Sequence, residues 1–329
     1  MKTIKQGFIP LLLILLCTVG FIPSDKVILG GNQQQTTHVV SNLKEFLDAL
    51  GNNRKIIITN DIHIKEELST VVTDTCKLYN GSTSKDWFSP EYVNEFYNIE
   101  GPYLSSVDTK ESLSKNDFKE FLENPIILVI KKAYNLTITT HNSSNIILNQ
   151  ANDEVIRFDS LTNFKLQNLQ IFHRPETNGG CGEFAPVITF YDAINIIVDN
   201  CKLNGSGTEG IYTNGIENLE IVNTEIFNCN KRGLSFENSK NVMVDNCEVY
   251  LNNLDANAEY NDGPSIFYLI DSDVEVIRTV ITKNTSESIA PFIDIDNKSS
   301  IKFKNCKILD NINFTITDEQ KKSFNINSL

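Results

Sequence analysis

Four side chains have the types that proton transfer beside a carboxylate would need: His173, Glu209, Tyr212 and Arg232. A lyase acting on a uronic acid requires a base for the proton α to the carboxyl group, and a cation that neutralises the carboxylate as charge develops. Lys231, Arg232, Tyr212 and His173 offer both roles. An inverting hydrolase instead needs two carboxyl groups about 6.5–9.5 Å apart. Asp159 and Glu237 fall three rungs apart in the repeat described below, roughly 14 Å, which is too far. Only Glu183, in a connecting loop, can approach Glu209. Lyase chemistry therefore stands ahead of hydrolysis. A plainer reading of the same residues is structural, with Glu209 and Arg232 as an ion pair fixing a corner and His173 bonded to loop backbone. Asp294 and Asp296 project side by side as weak candidates for a calcium ion, and a solvated acidic face explains them more simply. No other cofactor is required.

These residues share a face only because the chain repeats. From Val187 to Tyr250, Asn195, Asn218 and Asn241 recur at intervals of 23 residues. Apolar columns run beside them: Ile188/Ile211/Leu234, Ile196/Leu219/Val242, Val198/Ile221/Val244 and Leu203/Ile226/Val249. A fixed period of this length marks a repeat architecture, and alternation within it marks short strands rather than helix. Three strands per period with Asn-containing turns make one rung of a parallel β-helix, and the absence of hexapeptide repeats points to the right-handed kind. Seven coils align, starting at Ile127, Val155, Val187, Gly210, Gly233, Ser265 and Phe292. In the first strand of each coil the third and fifth positions face out. They include Arg157 and Asp159, Tyr191, Tyr212 and Asn214, Glu237, Phe267 and Leu269, and Asp294 and Asp296. Extra length falls between the third strand of one coil and the first of the next, near 145–154, 174–186, 252–264 and 283–291, so loops rim that face.

The expected organisation is a signal at 1–23, a linker at 24–40, a cap with first strands and an irregular insertion at 41–126, the solenoid at 127–311 and a second cap at 312–329. Lys2 and Lys5 precede an apolar run from Phe8 to Pro23, the pattern of a secretory signal. Cleavage after Gly20 fits its small residues; lipidation of Cys17 and a retained anchor are the alternatives. Ser41 to Leu50 reads as a short amphipathic helix covering the first rung, with Asn42 and Glu45 as a capping box and Gly51 as a left-handed terminator. A second helical stretch runs from Asn116 to Glu123, and the aromatics Trp87, Phe88, Tyr92, Phe96, Tyr97 and Tyr103 crowd the insertion.

The formal net charge of −13, with no basic run, argues against a nucleic-acid partner. Cys201, Cys247 and Cys306 occupy one coil position, and those two rungs apart are roughly 9.6 Å from each other, beyond the reach of a disulfide. They read as buried thiols. Cys181 and Cys229 are the one pair placed to meet. Seven Asn-x-Ser/Thr sequons, at Asn80, Asn135, Asn142, Asn204, Asn284, Asn297 and Asn313, reflect an Asn-rich composition, since Asn135 sits in the turn column.

The coils over 127–311 resemble the pectate-lyase-like right-handed parallel β-helix superfamily. More narrowly, IFHRPETNGGCGEF at 171–184 and LNGSGTEGI at 203–211 are similar to a set of secreted bacterial β-helix repeat proteins. The resemblance implies an all-β solenoid that meets polysaccharide along the first-strand sheet. Polygalacturonase signatures are missing: the corresponding corners read Ala185-Pro186, Thr208-Glu209 and Lys231-Arg232. The expectation is a secreted or envelope-associated bacterial protein that binds polysaccharide or a cell-surface glycan. If catalytic it would be lyase-like, and the alternative is a non-catalytic glycan-binding or structural envelope protein. Expected contacts are Arg157, Asp159, Glu183, Tyr191, Asn214 and Glu237, around His173, Glu209, Tyr212 and Arg232. Any membrane contact would run through the N-terminus.

Overall fold

A computed structural model describes residues 34–64, 66–67, 77–79, 89–93, 95–100, 127–141, 146–150, 154–174, 185–205, 208–254, 263–318 and 320. Gln35–Leu329 forms one compact unit, to which everything below refers. The N-terminal signal, Cys17, Trp87, Cys181, Glu183 and the stretch from Asn116 to Glu123 lie outside the described residues. Among the described residues no helix is long and apolar enough to cross a membrane.

Three long sheets wrap a single core. The first-strand sheet contains Ile127–Lys131, Ile156–Asp159, Ile188–Tyr191, Glu209–Asn214, Arg232–Glu237, Ser265–Ile270 and Ile293–Ile295, each parallel to the next. The second-strand sheet runs from Thr36–Val40 to Ser300–Lys304, and the third from Ile62–His63 to Lys307–Leu309. A short fourth sheet joins Asn253–Leu254, Thr285–Pro291 and Ile312–Thr315.

Alternation explains the layering. In Glu217–Val222, Leu219 and Ile221 are wholly buried while Glu220 is exposed, and parallel pairing repeats that pattern rung after rung. Inside the coil, Phe158 stacks on Phe190 at 4.9 Å between ring centroids and meets Phe164 as a tilted pair at 4.8 Å. Corners use residues that tolerate positive φ. Asn135, Asn163, Asn195, Asn218 and Asn241 all lie at φ between 52° and 62°. Their amides form a ladder, with Asn195 donating to Asn163 at 2.8 Å, Asn218 to Asn195 at 2.9 Å and Asn241 to Asn218 at 3.1 Å. Asn200 bonds Asn168, and Asn246 bonds Asn223, in a second column.

The fold differs from expectation in several places. The strand Thr36–Val40 lies within the expected linker, and pairs in parallel with Arg54–Ile58. The helix Leu43–Ala49 connects them; Asn42 caps it by accepting from the Glu45 N–H at 2.9 Å. Glu45 reaches back to accept from the Ser41 N–H at 2.8 Å, one residue before the cap. The left-handed residue after the helix is Asn53, not Gly51. Lys77–Tyr79, Ser89–Val93 and Tyr97–Glu100 lie in the expected irregular insertion, yet add antiparallel strands to the first-strand sheet. The expected rim loop at 283–291 and the start of the C-terminal cap are strands of the fourth sheet.

The sixth coil is one residue out of the expected register. Gly233 aligns with Ile266, so Tyr268 and Ile270 face outward while Phe267 and Leu269 are buried in the core. A one-residue slip exchanges every face of a strand, and the unbroken apolar run Ile266–Ile270 carries no alternation to prevent it. Cys201, Cys229 and Cys247 are free, buried thiols, whereas Cys306 is only half-buried.

Candidate functional site

The outer face of the first-strand sheet sets Arg157, Thr189, Tyr212, Ser235, Tyr268 and Asp294 in one column. Asp159, Tyr191, Asn214 and Glu237 form the next. At the preceding corner, Glu209 pairs with Arg232 and Arg232 with Ser265 across successive rungs. Gly210 permits this corner, because a Cβ there would stand 2.3 Å from the Ile226 Cγ2 atom. The two columns and the corner bound a cleft of about 250 Å³, lined by Glu154, Pro186, Thr189, Tyr191, Thr208, Glu209, Tyr212, Lys231, Arg232 and Glu237.

Two ionic centres stand at the cleft. Arg157 forks onto Glu154, its Nη2 lying 3.0 and 3.1 Å from the two carboxylate oxygens, and its guanidinium sits 5.7 Å from the Tyr191 ring centroid. Tyr191 and Tyr212 follow as a tilted pair 5.9 Å apart, and Asn214 donates to the Tyr212 hydroxyl at 3.5 Å. The second centre is Arg232, which is 3% exposed. Its guanidinium carbon lies 3.5 Å from the Tyr268 ring centroid, a cation–π contact. Its Nη1 is 3.6 Å from the Glu209 carboxylate, while Nε and Nη2 have no hydrogen-bond partner. Thr189 Oγ1 is likewise buried and unpaired.

Burial sets the proton affinities. Glu209 is raised above the ordinary glutamate value by loss of solvent, against the opposing pull of the Thr208 hydroxyl and the Arg232 and Lys231 charges. Burial likewise raises the Tyr212 hydroxyl, reinforced by the Glu237 charge, and it raises Tyr191.

Of the residues singled out from sequence, the cleft gathers Glu209, Tyr212, Arg232, Tyr191 and Glu237. Arg157, Asp159 and Asn214 stand beside it on the same face, where Asp159 accepts from the Ser160 hydroxyl at 2.6 Å. His173 lies elsewhere, in the third-strand sheet. It is 1% exposed, and its Nδ1 is 2.9 Å from the Gly205 carbonyl oxygen. Asp294 faces out in register with Tyr268, but Asp296 folds back, with one oxygen accepting from Asp271 N–H, Lys298 N–H and the Ser299 hydroxyl. Among the described residues no group of three or more His, Cys, Asp or Glu is placed to hold a metal ion.

Tyr268, the platform under Arg232, escaped the sequence reading because of the register slip. Its signal was the hydroxyl itself: in the run Ile-Phe-Tyr-Leu-Ile, only the tyrosine has a polar tip that suits an outward position.

Residues 184–328 match the family model described as the right handed beta helix region. No curated protein matches the chain in sequence. Among solved structures it is similar to a pectate lyase from a Paenibacillus species, at 11% identity and a TM-score of 0.43 over 85% of this chain and 78% of that one. A putative glycosyl hydrolase from Parabacteroides merdae gives 13% identity and 0.33, over 52% of this chain and 82% of that one. Tailspike protein 2 of an Escherichia coli O157:H7 bacteriophage gives 14% identity and 0.35, over 90% of this chain and 44% of that one. Likeness this low assigns no role to any residue of the cleft. With three parallel sheets, one rung per repeat and the family match over its C-terminal part, the chain is a right-handed parallel β-helix repeat protein.

Proposed function

We propose that the chain binds a polysaccharide along the outer face of its first-strand sheet, outside the cytoplasm. One observation carries this reading: the cleft joins two partly buried tyrosines, Tyr191 and Tyr212, to a buried guanidinium at Arg232, on a face that repeats rung after rung. A sugar ring has apolar faces and polar edges. Aromatic side chains supply contact area for the former, and charged or amide groups supply hydrogen bonds for the latter. The rungs recur every ~4.8 Å, so a linear polymer can run along the outward side chains of several successive rungs. The apolar run from Phe8 to Pro23 supports export.

Binding is favoured over bond cleavage because two of the four side chains offered from sequence as base or neutralising cation, Tyr212 and His173, are poorly disposed to accept a proton there; the other two, Lys231 and Arg232, line the cleft. The Tyr212 hydroxyl is pushed upward by burial and by Glu237, so at neutral pH it keeps its proton. His173 is buried away from the cleft.

The test is a titration of the secreted form against a panel of oligosaccharides, with Tyr212→Ala, Tyr191→Ala and the control Glu220→Ala from the exposed face of the second-strand sheet. Either tyrosine change should weaken binding about five- to tenfold, near 1–1.4 kcal/mol. Glu220→Ala should leave it unchanged. Equal affinity in all three variants would move the site off this sheet. Unsaturated products appearing in the same mixtures would overturn the preference for binding over cleavage.

A further inference from the structure

Three tyrosines, Tyr191, Tyr212 and Tyr268, stand on the outer face of the first-strand sheet. Two of the rings already hold a cation of the chain. The Arg157 guanidinium lies 5.7 Å from the Tyr191 centroid, and that of Arg232 lies 3.5 Å from the Tyr268 centroid. Among the described residues no cation reaches Tyr212, the tyrosine between them. Glu237 stands one rung on and two residues further along the strand, in register with Asn214. It lines the same cleft as Tyr212, and among the described residues it makes no ion pair. Burial is the larger cause of the raised Tyr212 hydroxyl and the Glu237 charge the next, which places the carboxylate beside that ring. The other charges around the cleft are answered from within the chain. Arg157 is forked onto Glu154, and Arg232 faces Glu209 with Lys231 buried next to it. An aromatic ring without a cation and a carboxylate without a counter-ion therefore lie together.

We infer that Tyr212 and Glu237 form a slot for a protonated amine on the sugar polymer, so that the polymer is one of amino sugars with free amines. The inference rests on the polysaccharide reading for the polymer, and on these two side chains for the amine. The ring face attracts the ammonium through its quadrupole, and the carboxylate accepts its N–H groups in charge-assisted bonds. A metal ion suits the slot less. Hard cations need six or more oxygens, and among the described residues no group of three or more His, Cys, Asp or Glu is placed to hold one.

The experiment titrates a glucosamine oligomer against its N-acetylated counterpart of equal length and linkage, at a pH where the amine is protonated and glutamate ionised. Melting temperatures are recorded first to show that each variant is folded. The wild type should bind the amine form at least about fivefold more tightly. Glu237→Gln keeps the shape but not the charge, and should bring that ratio below about twofold. Tyr212→Leu removes the ring and should lower the ratio as well. Glu220→Gln, on the exposed face of the second-strand sheet, should leave the ratio as in the wild type. That control separates the slot from the pull that a chain of net charge −13 exerts on any polycation. A ratio that falls equally in Glu237→Gln and Glu220→Gln, or in neither, would overturn the slot. Oligolysine binding as tightly as the glucosamine oligomer would overturn the amino sugar in favour of a basic peptide. Equal affinity for the two sugar oligomers, or a preference for the acetylated one, would overturn the slot and leave the polysaccharide reading standing. If neither oligomer binds, the polysaccharide reading fails, and free glucosamine becomes the probe. A rise in wild-type melting temperature that Glu237→Gln abolishes would keep the slot; no rise would overturn it. Should Glu237→Gln fail to fold, Tyr212→Leu decides alone, and an unchanged ratio in it would refute the inference.

Discussion

Replacing Asn218 isolates what the corner ladder contributes. Asn218 stands at φ 62°, donates to Asn195 at 2.9 Å and accepts from Asn241 at 3.1 Å. Asn218→Ala removes both bonds, each worth about 0.5–1.5 kcal/mol net. It also forces a Cβ without a compensating amide into the left-handed region, at roughly 1 kcal/mol. The expected loss is therefore about 2–4 kcal/mol. Asn218→Gly loses the same two bonds but has no steric penalty at positive φ, so it should be about 1 kcal/mol milder than alanine. Urea titration followed by circular dichroism measures both, as midpoint shifts at unchanged slope. Alanine indistinguishable from wild type would show that the ladder is decoration. Glycine worse than alanine would show that backbone strain at this corner has been misjudged.

Three further outcomes rest on burial. Burial pushes the Cys201 and Cys247 thiols up to about 12, so at pH 8 only about 10⁻⁴ of either is thiolate. Iodoacetamide should label them only after denaturation, with half-buried Cys306 labelled first; labelling of Cys201 in the native protein would contradict the core placement. In a host that glycosylates Asn-x-Ser/Thr, peptide mapping of the folded product should find glycan at exposed Asn297 but none at Asn204 or Asn284. Asn204 is 3% exposed and Asn284 0%, with the Asn284 amide nitrogen bonded to Val249 and Asn311. Finally, burial raises the native Glu209 carboxyl above its unfolded value. Between those two values the native state holds a proton that the unfolded chain has lost, so stability falls as pH rises through the window and levels off above it. The urea midpoint of wild type minus that of Glu209→Gln should decline from the ordinary glutamate range upward, and an increase would reverse the assigned cause.

The cleft can be followed from chemistry to fold in one direction only. Glu209 and Arg232 face each other because a 23-residue period places them one rung apart at the same corner, and Tyr191 and Tyr212 meet for the same reason. Arg232 then acquires its character from burial and from Tyr268, which comes from the following coil across a longer connection.

The sequence alone determined whatever repeats with a fixed spacing. The period of the Asn column gave the rung, alternation gave the inward faces of most strands, and the thiol column told which cysteines cannot pair. These are local properties, since a strand's two faces and a corner's left-handed residue are written in a few adjacent side chains. Only the tertiary structure decided matters that depend on partners far along the chain. Thr36–Val40 looked like linker because five residues show little pattern until Arg54–Ile58 pairs with them. The sixth coil slipped because a run of apolar residues fits the core in either register, and only its alignment with Arg232–Glu237 puts Tyr268 outside. His173 looked available because histidine is chemically versatile; its burial against the Gly205 carbonyl is set by a strand one rung away. The unpaired edge of Arg232 belongs to the same class, because whether a donor is satisfied depends on what surrounds it in space, and sequence spacing fixes only who the candidates are.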